Sequence, residues 1–171
     1  MGIGWVPSKY KTLNPILASD TTTLLFDVRK NPKEGILRPI YESHWQSPAT
    51  SNYATHLRLI SKEFPWTIDC KGDSPIRCET VWDALYLGLQ QPILDPEWAL
   101  IVGRKKHREA TEAAAKKRLA SQSSTDKQLK RIDYLGEAAL FKGLEKDDDF
   151  AKLRLLPGDK SIPETWVVKF G

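Results

Sequence analysis

Cysteine is scarce in this sequence. Two residues, Cys70 and Cys78, are too few for the disulfide framework of a small secreted scaffold. Long apolar runs are missing as well. The longest, Trp98 to Val102, falls far short of the ~20 residues a membrane-spanning helix requires, and no membrane partner is expected. The opening stretch MGIGWVPSKYKTLNP lacks the apolar block of a secretory signal and the Arg-rich pattern of a transit peptide. It also places Val6 where a myristoylation signal needs Ser or Thr. These absences point to a cytoplasmic or nuclear protein with reduced thiols. Gly72, Asp73 and Pro75 between the two cysteines still leave a cross-strand pairing open. Motifs of chemistry are missing too: no GxSxG, P-loop, GxGxxG or HExxH, and no CxxC or HxxxH pair to hold a metal. Neither a cofactor nor a metal site is expected. The consecutive carboxylates Asp147, Asp148 and Asp149 lack the alternation and central Gly of a calcium loop and read as a solvated acidic turn.

What remains is an ordinary globular composition. The chain has 171 residues, 40% hydrophobic and 28% charged, enough for one domain with a core that needs no staples. Residues 1–23 read as an irregular arm whose Trp5, Ile16 and Leu17 reach the core. Leu24 to Val28 is a short strand ended by Asn31-Pro32-Lys33-Glu34-Gly35. Residues 36–55 read as a long loop carrying Tyr41, His44, Trp45 and Tyr53, four hydrogen-bonding rings that suit either a lid over the sheet or a recognition surface. His56 to Ile60 and Trp66 to Cys70 alternate as a hairpin. Leu57 and Leu59 then share one face, while His56, Arg58 and Ile60 take the other.

Apolar residues at Val81, Trp82, Leu85, Tyr86 and Leu89 predict a helix stopped by Pro92. A second helix opens at Asp95-Pro96-Glu97, with Asp95 as its cap. From Arg104 to Leu119 that helix has no large apolar residue before its end, which predicts a projecting, solvated rod, His107 included, fraying near Ser121 to Ser124. Arg131–Leu135 and Ala138–Lys142 read as a hairpin about Gly136-Glu137. Residues 150–164 are ambiguous between strand and loop, and Thr165–Phe170 is a closing strand. The expected architecture is a single α+β domain, residues 1–171, with an antiparallel or mixed sheet of about six strands and two helices on one face. Residues 104–130 project from it as a basic helix and linker.

Charge is unevenly spread. Residues 104–131 hold ten Lys and Arg against three acids, a local +7 in a chain of net +4, so everything else sums to −3. Arg104, Lys105, Lys106 and Arg108 open this stretch and are candidate contacts for an acidic protein or a phosphate backbone. The segment lacks interleaved aromatics for base stacking. The sharpest constellation for chemistry lies on the hairpin. With a turn over Ser61 to Phe64, His56 falls opposite Asp69 and Arg58 opposite Thr67, an arrangement that describes either an oriented imidazole or an ordinary cross-strand ion pair.

Several segments, in order, carry a resemblance: Asn14-Pro15-Ile16-Leu17, Leu25-Phe26-Asp27-Val28, Pro48-Ala49-Thr50, Leu57-Arg58-Leu59-Ile60, Pro65-Trp66-Thr67-Ile68, Val81-Trp82-Asp83-Ala84-Leu85-Tyr86, Arg131-Ile132-Asp133-Tyr134-Leu135-Gly136, Phe141-Lys142-Gly143-Leu144 and Trp166-Val167-Val168. Together, over about residues 14–170, they resemble an uncharacterised domain of unknown function found mainly in mushroom-forming fungi. The resemblance implies a fungal intracellular domain. It implies no activity and no catalytic residues, and it directs attention first to Arg58 and Trp66. Under it the basic helix and residues 150–164 are elaborations. The functional expectation is a non-enzymatic binding module with a protein partner, through Tyr41, His44, Trp45, Tyr53, Arg58, Arg104, Lys105, Lys106 and Arg108. The rivals are an enzyme or small-ligand pocket between the 36–55 loop and the hairpin, using His56, Asp69 and Arg58, and nucleic-acid association through residues 104–131. The oligomeric state is left open.

Overall fold

A computed structural model describes residues 7–121 and 127–171. Trp5 and most of the expected Ser121–Ser124 fray point lie outside the described residues. Five strands form one mixed sheet: β1 (Phe26–Asp27), β2 (His56–Ser61), β3 (Ile68–Lys71), β4 (Leu140–Glu145) and β5 (Thr165–Phe170), in the order β1-β4-β5-β2-β3. All neighbours run antiparallel except β2 and β5, which are parallel. Seven helices accompany them among the described residues: α1 (Pro32–Gly35), α2 (Arg38–His44), α3 (Cys78–Leu89), α4 (Asp95–Val102), α5 (Lys105–Ser121), α6 (Arg131–Tyr134) and α7 (Asp148–Arg154). The α+β class stands. The six strands and two helices do not.

Each difference has a local cause. The expected 36–55 loop contains α2, because Pro39 sits in the helix's first turn, where proline's fixed φ and missing N–H cost nothing. Asn31 caps α1 by accepting from the Lys33 amide, and only two residues of the expected Leu24–Val28 strand pair in the sheet. Arg131–Leu135 coils instead of extending. The Asp133 carboxylate accepts from the Lys130 amide, 2.8 Å, and Gly136 takes φ +61° to end the turn. At α4, Leu94 rather than Asp95 holds the cap position. Helix α4 then stops at Gly103, and α5 is a separate helix.

The core lies on one face of the sheet. Leu57, Leu59, Phe141, Leu144, Trp166 and Val168 meet the α3 stripe of Val81, Trp82, Leu85 and Leu89. Contact between α3 and β3 is close enough that a Cβ on Gly88 would stand 2.9 Å from the Ile68 Cδ1. The N-terminal arm is stitched in through Ile16, Leu17 and Ala18. Leu17 and Ala18 are fully buried; the Leu144 amide donates to the Leu17 carbonyl at 2.7 Å, and the Ser19 amide to that of Leu144 at 2.9 Å. There Gly143 takes φ +100°, and a Cβ on it would lie 2.5 Å from the Ser19 Cα. The other sheet face is not bare. Ile60, expected to share the polar face of its hairpin, is 1% exposed and Val167 likewise, on the side where α7 packs on β5.

Candidate binding cleft

On that second face a cleft of about 480 Å³ opens between the sheet and the α7–β5 connection. Alternation dictates its floor. Arg58 and Ile60 of β2, Thr67 and Asp69 at β3, and Thr165 of β5 all point away from the main core. Its roof is Ala151 and Lys152 of α7, then Leu155, Leu156, Asp159, Ile162 and Pro163. The rival pocket reading places a cavity between residues 36–55 and the hairpin. The structure puts the roof at residues 148–163 instead.

The roof is pinned at both ends. Arg154 reaches into the β2–β3 connection and donates to four carbonyls: Ser61 (2.7 Å) and Phe64 (3.2 Å) from Nη1, Pro65 and Trp66 (3.0 Å) from Nη2. Burial pulls this guanidinium's pKa below its ordinary value. Asp147 caps α7 by accepting from the Phe150 amide at 3.0 Å and pairs with Lys62 at 3.0 Å. The expected acidic turn is therefore a helix start, where carboxylates complement the dipole. At the far end Lys146 donates to the Pro163 carbonyl, and Thr165 donates to that of Ile162 at 2.6 Å.

The floor carries two of the three groups singled out from sequence, Arg58 and Asp69, with His56 beside them but outside the cleft lining, in a different register. Arg58 faces Asp69 and His56 faces Lys71, a slip of two residues from the expected pairing. Strand pairing starts only at Leu59 and Ile68, because Phe64 and Trp66 turn inward and lengthen the connection. An even slip preserves every face. Arg58 Nε donates to Asp69 Oδ1 at 2.9 Å and Nη2 to Oδ2 at 3.3 Å, while His56 Nε2 lies diagonally 2.9 Å from Oδ1. Burial alone would raise the Asp69 carboxyl, but the bonds from Arg58 and His56 outweigh it and hold the group below the ordinary carboxylate range. The Asp69 side chain stays 33% exposed. A carboxylate held this way is a weak proton acceptor, and its chemistry here is to fix the orientation of two donors.

The remaining candidates sit elsewhere. Tyr41 is buried with its ring 5.7 Å from that of Trp82, so it is a core residue rather than a lid. With half-buried Trp45 it borders a second cleft of about 390 Å³, alongside Arg38, Glu42 and Glu79. His44 is half-buried in the last turn of α2. Tyr53 is exposed at φ +53° and borders a separate open groove with Tyr10 and Pro48.

Helix α5 is not the projecting rod expected from its polarity. Thr111 and Ala115 are buried, and His107, though exposed, stacks on Tyr134 with centroids 4.9 Å apart. Arg118 grips Asp133, which is 2% exposed, through two bonds of 2.9 and 2.8 Å, and adds one to the Gln128 carbonyl. The docking stripe is built of small and polar residues, so a search for large apolar groups at helical spacing passes over it. Arg104, Lys105 and Lys106 are exposed and Arg108 is half-buried. Successive helical positions diverge by about 100°, so these four do not share a face, and Lys105 leans 3.9 Å from Glu109. Trp66 is an architectural junction. Its Nε1 donates to Glu97 at 2.7 Å, and the Arg131 guanidinium lies 5.1 Å from its ring centroid. Cys70 and Cys78 are both free and buried, with thiols pushed up by burial to about 12.

Among known protein families, residues 24–150 match the model of a family of unknown function (DUF6699). The match takes in α5 and the start of α7 but neither the N-terminal arm nor β5, narrower than the 14–170 expected. No curated protein and no solved structure matches the chain.

Proposed function

We propose that this chain, which belongs to the DUF6699 family of unknown function, is a non-enzymatic intracellular binding module that holds a protein partner in the cleft between the sheet's second face and the α7–β5 connection. The observation that carries this reading is the Arg154 anchor. A guanidinium satisfied by four main-chain carbonyls fixes the roof over a mixed floor of apolar and paired charged groups. Preorganisation of that kind lowers the ordering cost of binding. The volume lies within the ~300–1,000 Å³ of ligand sites. Buried thiols and the resemblance to a fungal domain favour an intracellular, fungal setting. A screen of small-molecule fragments and random peptides against the isotope-labelled protein tests it. Shifts clustered at Arg58, Thr67, Lys152 and Leu156, weakened by Arg58→Ala, are expected. Hits that map only to α5 or to the Tyr41–Trp45 cleft would move the function there.

The same atoms offer a second reading, a catalytic or small-ligand pocket in which Asp69 orients His56, favoured by their 2.9 Å contact. A bell-shaped or sigmoid pH–rate profile lost in His56→Ala is its signature.

A further inference from the structure

Strand β3 ends the sheet, and its hydrogen-bonding parity can be worked out. The Gly72 amide donates to the Thr55 carbonyl at 3.1 Å, and the β2–β3 register places those two residues opposite each other. They are therefore a hydrogen-bonded pair, and alternation makes Leu57–Cys70 and Leu59–Ile68 the next ones. The Arg58 amide bears this out from the other side, since it donates to the Glu164 carbonyl at 2.8 Å rather than toward β3. Cys70 and Ile68 thus spend their main-chain groups on β2. The N–H and C=O of Asp69 and Lys71 point outward, as does the C=O of Thr67, which lies across the peptide from the Ile68 N–H. Among the described residues these groups have no strand partner, and all three residues are exposed.

The side chains beside this edge are not neutral. Asp69 and Lys71 share the cleft face, and the Asp69 carboxylate is already taken by Arg58 and His56. Lys71 is left in excess, across from His56. Thr67 and Asp69 both line the cleft, so the cleft reaches the last strand of the sheet.

Building on the cleft reading, we infer that the partner binds as an extended segment that adds a sixth strand beside β3, pairing its main chain with Thr67, Asp69 and Lys71 and presenting Asp or Glu beside Lys71. Main-chain pairing supplies the affinity and alternate side chains supply the choice of partner. An opposed acid adds a cross-strand ion pair.

The probe is an acetylated, amidated heptapeptide, Thr-Glu-Val-Glu-Val-Glu-Thr, added to the labelled full chain at up to about 1 mM, the weak end of specific binding. The inference expects amide exchange at Asp69 and Lys71 to slow by about tenfold. It also expects weaker binding when Lys replaces the three Glu, and loss of binding when alternate peptide amides are methylated. The N-methyl control alters the probe and leaves the protein's folding untouched. Peptide shifts confined to Lys152, Leu156 and Ile162, with edge amides exchanging freely, would overturn the added strand and leave the cleft standing. Protection of Asp69 and Lys71 in a dimer of the chain without peptide would show the edge serving self-association and overturn the inference. Silence at both edge and cleft, with no fragment hits, would remove both readings.

Discussion

Replacing Arg118 by Ala removes two bonds to Asp133 and one to the Gln128 carbonyl, and leaves a carboxylate that is 2% exposed without its cation. Breaking a buried pair from one side costs about 3–5 kcal/mol, most of it the stranded charge. Asp133 keeps its 2.8 Å bond from the Lys130 amide, and the Arg118 side chain is 14% exposed. Both facts place the loss at the lower end, about 3 kcal/mol. For a chain of this length each kcal/mol moves Tm by about 2–4 °C, so the variant should melt about 6–12 °C lower. Calorimetry on Arg118→Ala, Asp133→Asn and the double variant gives the coupling between the two, expected above about 1 kcal/mol. Lys117→Ala, one residue away and exposed, serves as control and should stay within about 0.5 kcal/mol. If Arg118→Ala melts no lower than Lys117→Ala, this pair does not dock α5 and the helix is the solvated rod that its polarity suggests.

Gly143→Ala combines a φ of +100° with a 2.5 Å approach to the Ser19 Cα and should cost about 3 kcal/mol in urea unfolding; a loss within error would mean the arm is not seated there. The Asp69 carboxyl is held below its ordinary 3.8, so its contribution is present above that value and fades as pH falls through the lower folded value. Asp69→Asn should therefore be destabilised at neutral pH, and the gap should narrow as pH falls below 3.8; a gap that does not narrow there would assign the effect to packing. Both thiols, raised to about 12 by burial, should ignore a disulfide reagent at pH 8 until the chain unfolds, and rapid native-state labelling would contradict the buried placement. Binding to random duplex DNA should show a log–log salt slope shallower than about −4, since the Lys and Arg of residues 104–118 do not form one stripe; a steeper slope would restore the nucleic-acid reading.

Period-two alternation in 56–60 and 66–70 reveals the hairpin and its core face, while Ile60, on the other face, is covered by α7 and the residues after it, which alternation does not show. The α3 stripe is legible in the same way at helical period. The same arithmetic fails wherever contact is made without large apolar groups. Thr111 and Ala115 dock α5, and the Arg118–Asp133 pair joins partners 15 positions apart, which no local window captures. Prolines 32 and 39 punctuate helix starts as readily as loops, which hides α1 and α2. At the cleft, Arg58 and Asp69, and with them the neighbouring His56, follow from alternation. Arg154 does not, since four carbonyl acceptors leave no trace in the residue types around them.

β5 occupies the middle of the sheet although it is the latest of the five strands in the chain. Without residues 165–170, the sheet order leaves β2–β3 and β1–β4 with no strand to join them. Closing that gap demands a parallel contact over more than a hundred positions, the slow kind in chain folding. In the absence of β5, β4 and β2 would each present an unpaired edge. Expression trimmed to the family boundary at residue 150 would remove β5 and leave the facing edges of β2 and β4 open, so that form is expected to aggregate where the full chain does not.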